Sequence, residues 1–252
     1  MFWCFERKKT PVKVPCEVSG ECEVRHDPPA DPVDIIDGTV MDENTGHPPQ
    51  RFPSKYVGKT WDRFNACNVG QGLLSGQTTG HIAWYLKMLR KGKARYQNAS
   101  GLLMQKGIYV PWEIIGIIHG LEASFDFSKQ VLNGQKYTQR TTWVPKRLGP
   151  WASWEESTVF AFTYDLGYQR LPQYWGVVEC ALFFERWNGM SYWMKGKPSP
   201  YLWGYSSVQV RGKFVEDGVY NSYAVTKQVG AMSQLIKIDF KFDPRGLIKE
   251  VA

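Results

Sequence analysis

The stretch "WEIIGIIHGLEASFDF" at 112–127 sets one carboxylate, Glu122, at the close of an apolar run. Ile115, Ile118, Leu121 and Phe125 recur at three- and four-residue steps, which predicts one face of a helix. Glu122 falls at the edge of that face, between Ile118 and Phe125. A carboxyl group partly stripped of water resists ionisation. If it keeps its proton near neutral pH, it can deliver that proton to a leaving oxygen. The competing reading is a helix-end glutamate turned outward or paired with a lysine. His119, one turn earlier, reads as a hydrogen-bonded helix histidine rather than a base.

Other chemistries find less support. Cys4, Cys16, Cys22, Cys67 and Cys180 form no C-x-x-C pair, and the four histidines are scattered, so no metal and no cofactor is expected. Cys180 lies in an apolar helical run and reads as a buried free thiol. Cys4, Cys16 and Cys22 share the N-terminal region, where a disulfide among them could form. The charge balance, 31 Lys+Arg against 24 Asp+Glu for +7, favours a polyanionic partner: nucleic acid, an anionic membrane or a bacterial wall. The basic run "KMLRKGKAR" at 87–95 carries no RNA-binding signature, zinc-knuckle spacing or phosphate loop. It reads as a solvated helix face, and nucleic acid is not the expected partner. No stretch is long enough for a membrane span. Eleven Trp, 13 Tyr and 13 Phe make 15% of the chain aromatic. Such rings fill cores, and they also stack on the apolar faces of sugars.

The elements that must position Glu122 can be read from the pattern around it. Eight prolines fall within 1–57, including "DPPADP" and "GHPPQRFP", and predict an extended arm ahead of a domain over 58–252. "TGHIAWYLKMLRKG" places Ile82, Tyr85, Leu86 and Leu89 on one helical face and stops near Gly92; "ARYQNASGLLMQKG" ends near Gly107. Pro111 suits the first turn of the Glu122 helix. Residues 128–150 change character: Asn133-Gly134 signals a turn, and the flanking Thr, Tyr and Val predict a short hairpin or extended loop. Ser153 and Glu156 form a capping box for the next helix. "PQYWGVVECALFFERWNGM" predicts another, closed by Asn188-Gly189, and "SYAVTKQVGAMSQLIKI" a final one from about 222. Five or six helices and one small β-loop make an α+β, mainly α layout.

A buried helix ending in Glu, a β-like loop and closing helices together resemble the lysozyme-like superfamily, nearest the goose-type lysozymes and lytic transglycosylases. The nearest likeness is to lysozyme-like cell-wall proteins of bacteria and phages. It rests on "PWEIIGIIHGLEASFDF", "LNGQ", "WEES", "FFERWNGMSY", "SPYLWGYSS" and "GKFVEDG" in that order, and spans about 80–238. One departure is plain: lytic transglycosylases carry Glu-Ser, whereas this chain has Glu122-Ala123-Ser124. The resemblance implies a lysozyme-like helical domain with a β-hairpin lobe and a Pro-rich arm. It implies a peptidoglycan-degrading glycosidase, a muramidase or lytic transglycosylase, cleaving the β-1,4 bond between amino sugars.

On that reading Glu122 is the general acid. Glu155, Glu156 and Glu185 are the candidates for a second carboxylate. Glu156 is accounted for by capping and Glu155 by a surface position; Glu185 matches an acid of the resembled proteins, with a structural role, bonding loop amides or Arg186, as the alternative. Chemistry with one acid, completed by a positioned water or the substrate's acetamido group, is the preferred scheme. Substrate contacts are expected from Ser124, Asn188, Tyr192, Ser199, Tyr201 and Trp203. The implied partner is peptidoglycan or a related amino-sugar polymer, met by a monomer outside the cytoplasm. "MFWCFERKKTP" lacks the form of a secretory signal, so the expected routes are delivery by phage, carriage in a virion, or a leader not contained in this chain. Competing functions are a chitinase- or chitosanase-like hydrolase, a non-catalytic wall-binding or virion protein, and a nucleic-acid-binding protein.

Overall fold

A computed structural model describes residues 54–164, 171–216 and 218–246. The predicted arm, with Cys4, Cys16 and Cys22, lies outside the described residues except at its last positions. The elements run α1 (Ser54–Asn65), α2 (Thr79–Lys91), α3 (Lys93–Met104), α4 (Trp112–Ala123), α5 (Trp154–Thr163), α6 (Val177–Trp187), α7 (Ser191–Met194), α8 (Pro200–Trp203), β1 (Lys213–Glu216), β2 (Val219–Asn221) and α9 (Ala231–Lys237). The described residues are therefore mainly helical, with one two-stranded antiparallel sheet.

The architecture is organised around α4. Its sequence is apolar on every side, and Ile114, Ile115, Ile117 and Ile118 are all fully buried. The helix is thus central rather than two-faced, because α2, α3 and α9 all pack against it. Each buried isoleucine contributes about 1.5–3 kcal/mol of apolar burial, an upper figure. Close approach is possible because Gly116 and Gly120 carry no side chain. A Cβ at Gly116 would run into Leu89 of α2 and Tyr96 of α3, and one at Gly120 into the Phe125 ring.

Several boundaries differ from the sequence reading. The helix α1 was not anticipated: it begins at Ser54, and its Tyr56 and Val57 pack on Val178 and Leu182 of α6. Residues 54–57 therefore stand with the helical body. The last helix starts at Ala231, not near 222. The Asn221 side chain captures the amides of Tyr223 and Ala224 at 2.8 and 3.2 Å, and Gly230 lies against Leu202 and Gly204, so the chain stays non-helical up to Gly230. Likewise α6 starts at Val177, since Gly176 before it is extended and pressed against Gly246. The capping of α5 is as expected at Ser153, whose Oγ accepts from the Glu156 amide at 3.0 Å. Glu156, however, reaches one residue further back, to the Ala152 amide at 2.7 Å.

The segment 128–150 turns at Asn133-Gly134 and carries a single antiparallel bridge, Lys129 to Lys136. A ladder does not continue because side chains take its place: Gln135 Oε1 accepts from the Thr142 and Trp143 amides at 2.9 Å each. The regular sheet lies elsewhere. β1 and β2 pair Phe214 with Tyr220, and Phe214 packs edge-on against Tyr192 of α7.

Candidate functional site

Glu122 is the penultimate residue of α4 and is half-buried. The helix stops immediately after it because Ser124 and Phe125 both take left-handed backbone, with φ of 53° and 60°. That reversal lays the Phe125 ring back over Gly120 and sends the chain into the 128–150 segment. Tyr201 of α8 donates its hydroxyl to Glu122 Oε1 at 2.8 Å. Beside them, Gln228 Nε2 donates to the carbonyl of Leu121 at 2.9 Å, tying the chain before α9 to the same helix end.

Aromatic side chains extend from this point toward α2. Phe125 meets Tyr85 and Trp84 edge-on, at 5.6 and 5.7 Å between ring centres, and Trp84 keeps 42% of its surface exposed. The hydroxyl of Tyr205, four residues beyond Tyr201, lies 2.7 Å from His81 Nδ1. Burial, and then the nearby Tyr205, hold the Tyr85 hydroxyl firmly protonated. Tyr85 was read only as part of the apolar face of its helix, and Trp84, His81, Tyr205 and Gln228 were missed in the sequence. Only Trp84 left a signal there, as a large ring on the solvent side of an amphipathic helix.

The expected site residues separate on inspection. Glu122 and Tyr201 are in direct contact, and Ser124 follows them at the half-buried left-handed turn. Asn188 caps α6 through its backbone and is half-buried. Tyr192, Ser199 and Trp203 are turned inward. Tyr192 Oη accepts from the Phe214 amide at 2.8 Å, Ser199 is fully buried at the start of α8, and Trp203 is 1% exposed within the main core. None of these three offers a face to a ligand. The Gly-, Ser- and Pro-rich composition that suggested an open loop instead marks the ends of α7 and α8, where Pro200 opens the latter.

Glu185 is 3% exposed, and its neighbours come from α1 and α7. The Trp193 amide donates to its Oε1 at 3.1 Å. Burial raises its pKa from 4.5 to about 7, against the opposing pulls of the Trp193 amide and of Arg63. Glu155 is bound through both oxygens by Arg95, at 2.7 and 3.0 Å, which joins α3 to α5. That Arg95 hydrogen bond holds the Glu155 carboxyl below its ordinary range. The same guanidinium lies 4.3 Å from the centre of the Phe127 ring. His119 is fully buried, and its Nδ1 is 2.9 Å from the Tyr96 hydroxyl. Burial lowers its pKa to about 4, leaving it neutral, and the Nδ1 contact fits the hydrogen-bonded helix histidine expected from the sequence.

Among the described residues no group of three or more His, Cys, Asp or Glu is arranged to hold a metal ion. Among them, too, no helix is long and apolar enough to cross a membrane. Cys180 is a buried free thiol. Comparison of the chain with protein-family models, curated proteins and solved structures finds no match.

Proposed function

We propose that the chain is a peptidoglycan-degrading glycoside hydrolase of lysozyme-like type, acting outside the cytoplasm through Glu122 as general acid. The observation that carries this reading is the half-buried Glu122 at the end of a buried helix, fixed by the Tyr201 hydroxyl at 2.8 Å. A carboxyl group held by one oxygen has a defined orientation, which general acid catalysis requires. The Glu122 proton passes to the glycosidic oxygen, and the C–O bond breaks with its electrons going to that oxygen. Positive charge then develops on the sugar ring. A water adds to the ring carbon and gives its proton to the Glu122 carboxylate. Alternatively the substrate's acetamido oxygen adds first, and the oxazolinium so formed is opened by water or the sugar's own 6-hydroxyl, whose proton returns to Glu122.

One-acid chemistry is favoured by the state of the other carboxylates. Glu155 is committed to Arg95, Glu156 to the Ala152 amide, and Glu185 to the α1–α7 side of α6. The exposed Trp84, in contact with Phe125 three residues beyond the acid, supplies a flat apolar face of the kind on which a pyranose ring stacks.

Digestion of purified murein sacculi, compared with chitin and chitosan oligomers, tests the reading. Sacculi should clear and release disaccharide-peptides, and mass spectrometry of their ends distinguishes reducing from 1,6-anhydro products. Cleavage of chitin or chitosan with sacculi left intact would refute it.

A further inference from the structure

A second feature lies on the α1 side of the molecule, among residues the proposed chemistry does not use. The sequence of α1 spaces Lys55, Lys59 and Arg63 four residues apart, which puts three cations on one helical face. The adjacent face, with Tyr56 and Val57, is buried against α6, so the cation row is held in a fixed orientation. Opposite it the chain leaves α7 through Gly196, whose φ is +64°. Arg63 donates to the Gly196 carbonyl at 3.3 Å. Between the two segments is a cavity of about 160 Å³ lined by Lys55, Lys59, Arg63, Trp193, Met194 and Gly196.

Among the described residues this lining has three cations and no carboxylate. Glu185 is buried behind the wall, where it accepts from the Trp193 amide and its charge acts on Arg63. The floor is firm: the Trp193 ring packs on Tyr56 at 5.7 Å between centres. Lys195 and Lys197 flank Gly196 in sequence, and their ammonium groups sit 5.4 and 4.4 Å from the ring centres of Phe214 and Tyr220. Glu185 offsets part of the Arg63 charge from behind, and the remaining like charges on one cavity repel one another unless an anion joins them.

We propose that this cavity binds a phosphate group. Three cationic donors from one side match a tetrahedral anion with several acceptor oxygens better than they match a single carboxylate, and Arg63 can engage two of those oxygens. The volume is below the roughly 300–1,000 Å³ of sites for drug-sized ligands, and suits a phosphate with a few attached atoms. The indole of Trp193 and the thioether of Met194 provide an apolar wall for those atoms. The phosphate can be the free ion or the ester of a polyol chain, and both present the same oxygens.

The test follows Trp fluorescence and calorimetry of the full chain during titration with inorganic phosphate and with glycerol 1-phosphate. Ionic strength is held constant with sodium chloride. Both phosphates should bind saturably while chloride alone does nothing, and the tighter of the two identifies the source. Lys59→Gln, on an exposed position, should weaken binding roughly ten- to a hundredfold. Arg63→Gln should do the same, and Lys87→Gln on α2 should leave it unchanged. Glu122→Gln should bind phosphate as the parent does, which separates this site from the proposed hydrolysis. A response that follows ionic strength alone, or equal binding by a folded Lys59→Gln protein, would overturn the assignment.

Discussion

Glu185 shows how one residue type can be placed for opposite purposes. Glu122 is kept at the surface end of a buried helix, while Glu185 is enclosed between α6, α1 and α7. Enclosure has a pH signature whose sign can be worked out. Below 4.5 the carboxyl is protonated in both folded and unfolded chains. Between 4.5 and about 7 the unfolded chain releases the proton and the folded one retains it, so stability falls as pH rises through that window. Above it both forms are ionised and the loss levels off, at about 3 kcal/mol for a shift of this size. Glu185→Gln preserves an acceptor for the Trp193 amide and removes the ionisation. The variant should melt with the parent near pH 4, melt above it at pH 8, and retain turnover. A variant less stable than the parent at pH 8 would contradict this account of the site.

At the scale of elements, the helices α2 to α6 were legible because apolar spacing, Pro111, Ser153 and Asn188-Gly189 all mark them locally. What was not legible depended on partners distant in sequence. The surroundings of α4 are set by Gly116 and Gly120, which read as weak helix formers until Leu89, Tyr96 and Phe125 are seen against them. Gly116→Ala should therefore destabilise the protein by about 1–3 kcal/mol despite its higher helix propensity, because the added methyl has no space. Urea unfolding measures this, and a gain in stability would show that α2 and α3 can move apart at no cost. The short helices α7 and α8 were hidden for a related reason. Their Gly, Ser and Pro residues look like an open loop, yet Tyr192, Tyr201 and Trp203 are all drawn inward. Glu122 was the exception, since its position at the end of an apolar run was visible without any partner. Its contact with Tyr201, 79 residues away, was not.

At the scale of the whole molecule, α1 fastens the start of the described chain to α6, and α4 holds the rest together. The two parts predict different responses to truncation. Removal of 1–53 should leave a cooperatively folding body, because the Pro-rich segment lacks the apolar periodicity of a core. Removal of 1–57 should lower stability by several kcal/mol, since it takes away the buried Tyr56 and Val57. Thermal melts of both forms decide this, and equal melts would show that the α1–α6 contact contributes little. The central claim concerns the proton on Glu122, and turnover of Glu122→Gln on murein sacculi tests it most directly. The substitution keeps shape and the Tyr201 contact but cannot donate the proton. Sedimentation with sacculi should be unchanged, and the rate should fall by about 10²–10⁴-fold. A folded Glu122→Gln protein that still clears sacculi at the parent rate would contradict the account.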